Sequence, residues 1–203
     1  MKKALVAIAL SAFATSAFAI IDGGPHDLNT ISNPANAKAS DCIYCHAPHA
    51  VNTSVSGTPL WNRNMFAGAF TTYSSTTVPA ARVSAPGANS VTCLACHEGS
   101  LALGDLFASP PAEDVTTVPA TLASVATANI GADLRNDHPI GVQYPGATVN
   151  FVGTPAGMVF YDSDGAGPGT NFVECGTCHN PHESTNVKFL RVSGDACTVC
   201  HIR

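Results

Sequence analysis

The chain has 203 residues, of which 11% are charged, 45% hydrophobic and 7% aromatic, so its apolar content rests on small side chains. A formal net charge of -5 with only nine Lys and Arg excludes a nucleic-acid binder resting on a basic face, because phosphate affinity needs clustered cations. Seventeen Gly and fourteen Pro argue against long helices, and the eight cysteines and eight histidines carry the information.

Residues 1–19 have the three parts of a secretory signal peptide. Lys2 and Lys3 start it, an apolar run fills 4–14, and Ala17-Phe18-Ala19 offers a small-x-small cleavage site. The run is too short to span a bilayer, and no later stretch is long and apolar enough to do so. The reading is export with cleavage near Ala19, giving a mature chain over 20–203 with no membrane span. Exported cysteines would ordinarily suggest disulfides, but their spacing here points elsewhere.

Every cysteine falls in a CxxCH pentapeptide: Cys42-Ile43-Tyr44-Cys45-His46, Cys93-Leu94-Ala95-Cys96-His97, Cys175-Gly176-Thr177-Cys178-His179 and Cys197-Thr198-Val199-Cys200-His201. Two thiols three positions apart can add to the two vinyl groups on one edge of a haem, and the next histidine ligates the iron. Zinc is the plain rival, since eight cysteines could form two four-thiolate sites, but zinc has no use for a histidine after every second cysteine. A thioredoxin-like CxxC lacks the surrounding βαβ pattern. The expectation is four covalently bound haem c groups, attached through the eight cysteines, with His46, His97, His179 and His201 as proximal iron ligands.

Four histidines remain, His26, His49, His138 and His182, matching four distal positions and predicting bis-histidine ligation throughout. Met65 and Met158 are substitutes that read more simply as packing residues. The order repeats: His26, CxxCH-Ala47-Pro48-His49, CxxCH; then His138, CxxCH-Asn180-Pro181-His182, CxxCH. It divides the chain into a dihaem half over 20–97, a loop-rich insert over 98–137 and a dihaem half over 138–203. His49 lies three residues after His46, a span of at most ~11 Å turning at a proline, so it cannot cross to the far face of the same haem. His182 is equally barred from the haem of His179. The expected pairing is His26 with the first motif, His49 with the second, His138 with the third and His182 with the fourth.

The long segment 98–174 should contain short strands, with 147–152, 158–161 and 171–174 as candidates between Gly, Pro and Asp turns. Asp162-Ser163-Asp164-Gly165 hints at calcium but lacks the rest of a binding loop, and a tight turn is the better reading. The expected fold is a multihaem cytochrome c of mostly irregular coil, with short helices, a few short β-strands and a core organised by four covalent haems.

Cys45-His46-Ala47-Pro48-His49, Pro59-Leu60-Trp61-Asn62-Arg63, Cys96-His97-Glu98-Gly99, Asn136-Asp137-His138-Pro139 and Cys178-His179-Asn180-Pro181-His182 together resemble the tetrahaem cytochromes of the doubled-CxxCH class. Within it, they resemble the extracellular cytochromes that metal-reducing bacteria polymerise into conductive filaments (nanowires). The resemblance implies long-range electron transfer, with filament neighbours, other cytochromes and extracellular electron acceptors as partners. It also implies an axial histidine given by one subunit to the next, with His26 the first candidate donor and His49 next. Low charge suits subunits that stack. A monomeric periplasmic electron carrier is the alternative reading. A multihaem reductase needs an open iron, which eight histidines do not leave, so the chain reads as an electron carrier and not an enzyme.

Overall fold

A computed structural model describes residues 21, 23–28, 40–57, 60–78, 81–108, 121–122, 127–165 and 171–202, which include all eight cysteines and all eight histidines. The signal-peptide reading lies outside the described residues, as do most of the residues of 109–126. Among the described residues, no helix is long and apolar enough to cross a membrane.

Most of the described helical turns fall at the cysteine motifs. A 3-10 turn covers Asp41–Tyr44, with the Ser40 side chain accepting from the Cys42 amide. Helix α1, Ala88–His97, is the longest of the described elements. Pro86 and Gly87 lead into it, and it stops at Glu98 and Gly99, whose φ of +89° suits the left-handed turn that ends a helix. The short strands β1, Val142–Gln143, and β2, Phe172–Val173, pair antiparallel with Val142 opposite Val173. Bridges from Arg82 to Val142 and from Tyr161 to Phe172 widen this patch by one segment on each side. Helix α2, Cys175–Cys178, begins in a capping box: the Glu174 side chain accepts from the Thr177 amide, and the Thr177 hydroxyl accepts from the Glu174 amide. A 3-10 turn over Val187–Phe189 follows, and α3, Cys197–Cys200, starts where the Asp195 carboxylate accepts from the Cys197 amide.

The mostly irregular chain with short helices and short strands is compatible with a cytochrome c. Of the three expected strands, 171–174 contains β2, whereas 158–161 contributes the single bridge at Tyr161 and 147–152 the single bridge from Phe151 to His201. The remainder of 147–152 is bends, because Pro145, Gly146, Asn150 and Gly153 interrupt any ladder. Strand β1 was not expected; Val142 and Gln143 lie between Gly141 and Pro145, too short a run to show alternation.

Apolar packing is sparse. The described core cluster is Tyr44 and Leu106, with Leu28 and Ile43 against it. Buried polar side chains take over the joining. Asn62 donates to the Ile43 carbonyl and accepts from the Ala108 amide, pinning the first motif to the segment after the second. Glu174, 1% exposed, accepts from the Gly87 amide and from the hydroxyls of Ser90 and Ser163. Ser90 Oγ in turn accepts from the Cys175 amide at 2.9 Å, and Asn89 Oδ1 from the Gly176 amide at 2.7 Å. A Cβ at position 176 would strike Tyr161 Oη and the Asn89 side chain, so glycine inside this motif permits the close approach of α1 and α2. Glu174→Ala should therefore remove the acceptor of the Gly87 amide and of the Ser90 and Ser163 hydroxyls, undo the capping box and cost on the order of 3 kcal/mol, read as a lower melting temperature of the purified protein. Glu174→Gln, which keeps one acceptor, should lose less.

Candidate metal centre

The first, third and fourth cysteine motifs make one helical turn and then leave it, whereas the second, Cys93–His97, ends α1. The amides of His46, His179 and His201 close onto the carbonyls of Cys42, Cys175 and Cys197 at 2.7, 3.1 and 2.8 Å. His179 and His201 are already extended, at φ/ψ of -111°/140° and -95°/128°. The turn sets two thiols on one side, and the extended histidine carries its ring away from them, as attachment and proximal ligation require. No cysteine is in a disulfide. Among the described residues no three His, Cys, Asp or Glu side chains converge as donors, so the thiols do not gather into the four-thiolate clusters zinc would need.

The imidazoles test the fit to an iron porphyrin. A metal–imidazole bond is about 2.0–2.1 Å and the nitrogen sits about 1.1 Å from its ring centre, so trans rings on one iron have centroids about 6.3 Å apart. Three pairs have that spacing: His26 with His97 at 6.2 Å, His46 with His182 at 6.1 Å and His138 with His201 at 6.4 Å. Each joins one motif histidine to one histidine outside the motifs. The Nδ1–H of His97 donates to the Ala128 carbonyl at 2.7 Å, that of His179 to Lys188 at 2.7 Å and that of His138 to Pro139 at 3.0 Å. A carbonyl only accepts, so Nδ1 carries the proton and Nε2 is left as the ligating atom. Burial and the neighbouring His97 ring hold His26 below the usual imidazole range.

The pairing differs from the one read in sequence order. His26 faces His97 of the second motif instead of the first. His138 faces His201 of the fourth instead of the third. His182 faces His46 of the first instead of the fourth, and His49 does not face His97. Two of these pairs, His26 with His97 and His138 with His201, stay inside one half and skip to its other motif, whereas His46 with His182 crosses between the halves, which the α1–α2 packing through Glu174, Ser90 and Asn89 lays against each other. The separation of His182 from His179 stands as the three-residue span requires. His49 and His179 are both exposed, and neither has an imidazole facing it.

Burial pushes the Cys45 thiol up to about 12, with Cys96 adding to the effect. Cys93 and Cys175 share a hydrogen bond that raises the first thiol and lowers the second. Burial raises Cys178, and Cys200 contributes. The second and third motifs thus meet through the sulfurs of Cys93 and Cys175.

Backbone strain collects at the same place. Ala50, Leu60, Lys188 and Phe189 are the described non-glycine residues with left-handed φ, at 56°, 54°, 55° and 59°. Ala50 follows His49, and Leu60 precedes Trp61, which lies edge-on to His46 at 6.1 Å. Lys188 aims its carbonyl at His179, and Phe189 stacks on His26 at 4.4 Å. Sequence reasoning passed over Lys188 and Phe189, since neither residue type signals a left-handed turn; Trp61 was quoted for a resemblance, without a role.

Residues 168–203, spanning the third and fourth motifs, match the family model described as the doubled CXXCH motif. No curated protein matches the chain. The match supports a multihaem c-type cytochrome class, with haem c bound covalently through CxxCH and electron transfer as the general function. His182→Ala should make one ferric haem high-spin, and the paramagnetically shifted thioether signals that change should be those of Cys42 and Cys45. Changes at Cys197 and Cys200 would restore the sequence-order pairing.

Proposed function

We propose that the chain carries four haem c groups and is an electron-transfer protein that polymerises outside the cell into a conductive filament. The carrying observation is the pair of exposed histidines left over when three imidazole pairs have formed. His179 lacks a distal partner and His49 lacks a proximal one, so each copy offers one donor and one acceptor. A donor on one copy and an acceptor on the next form a heterologous contact, which repeats without closing unless its rotation makes a ring. His49, not His26, is the donor in this reading, because His26 is engaged by His97 and Phe189.

When bound, the haems supply the iron couples between which electrons hop. The chain's part is to hold the motifs close: the Cys93 and Cys175 sulfurs meet, and the charges of Cys96 and Cys200 reach Cys45 and Cys178, which supports a path in chain order. Shared axial histidines would close every iron, which favours a carrier over a reductase. Export through the 1–19 leader, docking with other cytochromes and delivery to extracellular acceptors complete the reading.

A second reading is a monomeric periplasmic carrier. The contact of His46 with His182 sets the CHxPH segments 45–49 and 178–182 near each other, so His49 has a short way to go to close His179 within one chain.

Electron microscopy of protein sheared from producing cells separates the two. The filament reading expects thin, regular filaments with four haems per chain by pyridine haemochrome. His49→Ala should then give dispersed particles with unchanged haem content and one high-spin haem each. Dispersed wild-type particles with every haem low-spin would establish the monomeric carrier.

A further inference from the structure

Arg63 is 1% exposed. Its Nη1 donates to the Leu103 carbonyl at 2.7 Å and to Tyr44 at 3.4 Å, and its Nη2 to Ala102 at 2.8 Å. Its Nε–H is buried without an acceptor, and no carboxylate among the described residues forms an ion pair with it. Two positions earlier, Trp61 is 8% exposed, and its indole Nε1–H is likewise buried without an acceptor. Both residues are bridge positions, Trp61 to His46 and Arg63 to Leu106, so in this extended segment they share a side while Asn62 between them is satisfied elsewhere. Its hydrogen bonds to Tyr44, inside the first motif, and to Ala102 and Leu103, shortly after the second, place Arg63 between the two.

An unpaired buried cation and two buried N–H groups without acceptors are unfavourable unless an anion joins them. The group the motifs attach brings such an anion, because each haem carries two carboxylates. We propose that Trp61 Nε1 and Arg63 Nε form a carboxylate-binding site for a haem propionate. The inference rests on the haem-binding reading and adds to it a role for a Trp-x-Arg segment outside every CxxCH motif. An indole donor and a guanidinium offset the propionate's negative charge, which otherwise favours ferric iron, so the pair raises the reduction potential of that haem.

The test uses the holoprotein with Trp61→Phe, which keeps the ring and removes the donor. Resonance Raman should show the propionate bending band of one haem displaced. Spectroelectrochemistry should show one potential moved to a more negative value, with haem content and low-spin spectra unchanged. Arg63→Gln should move the same haem further in the same direction; because Arg63 also holds three carbonyls, Trp61→Phe is the deciding variant. Unchanged potentials and an unchanged propionate band in Trp61→Phe would overturn the proposal and assign the donors to water or a small anion. Absence of haem from the wild-type protein would instead strike the haem-binding reading itself.

Discussion

Two imidazoles that shared one iron would stand about 6 Å apart, and three ring pairs at that spacing bring together segments of this chain that share little apolar core. The ties are long in sequence: His26 to His97, His46 to His182, His138 to His201. With a described apolar cluster built on Tyr44 and Leu106, hydrophobic burial alone gives the chain few long-range constraints. The distances between histidines supply them. What surrounds the histidines is correspondingly local and polar: a one-turn helix before His46, His179 and His201, and a carbonyl on Nδ1 of His97, His138 and His179.

The buried polar residues then have a common purpose. Glu174, Ser90 and Asn89 join α1 to α2, and Asn62 and Arg63 join the first motif to residues 102–108. Each works through several hydrogen bonds of fixed direction, which hold orientation more tightly than interchangeable methyl contacts would. For a protein whose motifs must present rings at defined spacings, direction matters more than volume. Small side chains such as Gly176 let the backbones approach, and the polar groups fix the angle at which they meet.

The chemistry was legible in the sequence because it is written in spacing. CxxCH specifies a turn with two thiols and a following histidine, whatever surrounds it. The stereochemical bar on His182 serving the same iron as His179 was also readable, since three residues cannot wrap a porphyrin. The partners of His26, His138 and His182 were not readable. The repeat of leading histidine, CHxPH and CxxCH invites assignment of each leading histidine to the motif that follows it, but His26 and His138 skip to the later motif of their own half, and His182 crosses to the other half alongside an α1–α2 contact that depends on Glu174 and Ser90, 84 residues apart. The short pairing of Val142 with Val173 was hidden for a related reason, as two residues carry no periodicity. Local rules were sufficient for each motif and silent about which motifs meet.

The pairing of His46 with His182 has a consequence for how the molecule comes into being. A chain that emerges from its N-terminus completes the first motif early, yet the ring that faces it arrives only after the third motif has followed. Under the proposed ligation the first site would stay half-built until residue 182 is out, while the second could acquire His26 as soon as residue 97 is out. Closing a loop of more than a hundred residues costs only modestly more entropy than closing a short one, but it cannot begin before its end exists. Maturation would thus be ordered by topology, with the second site complete before the first and the two halves joined by His46 and His182 as one late event.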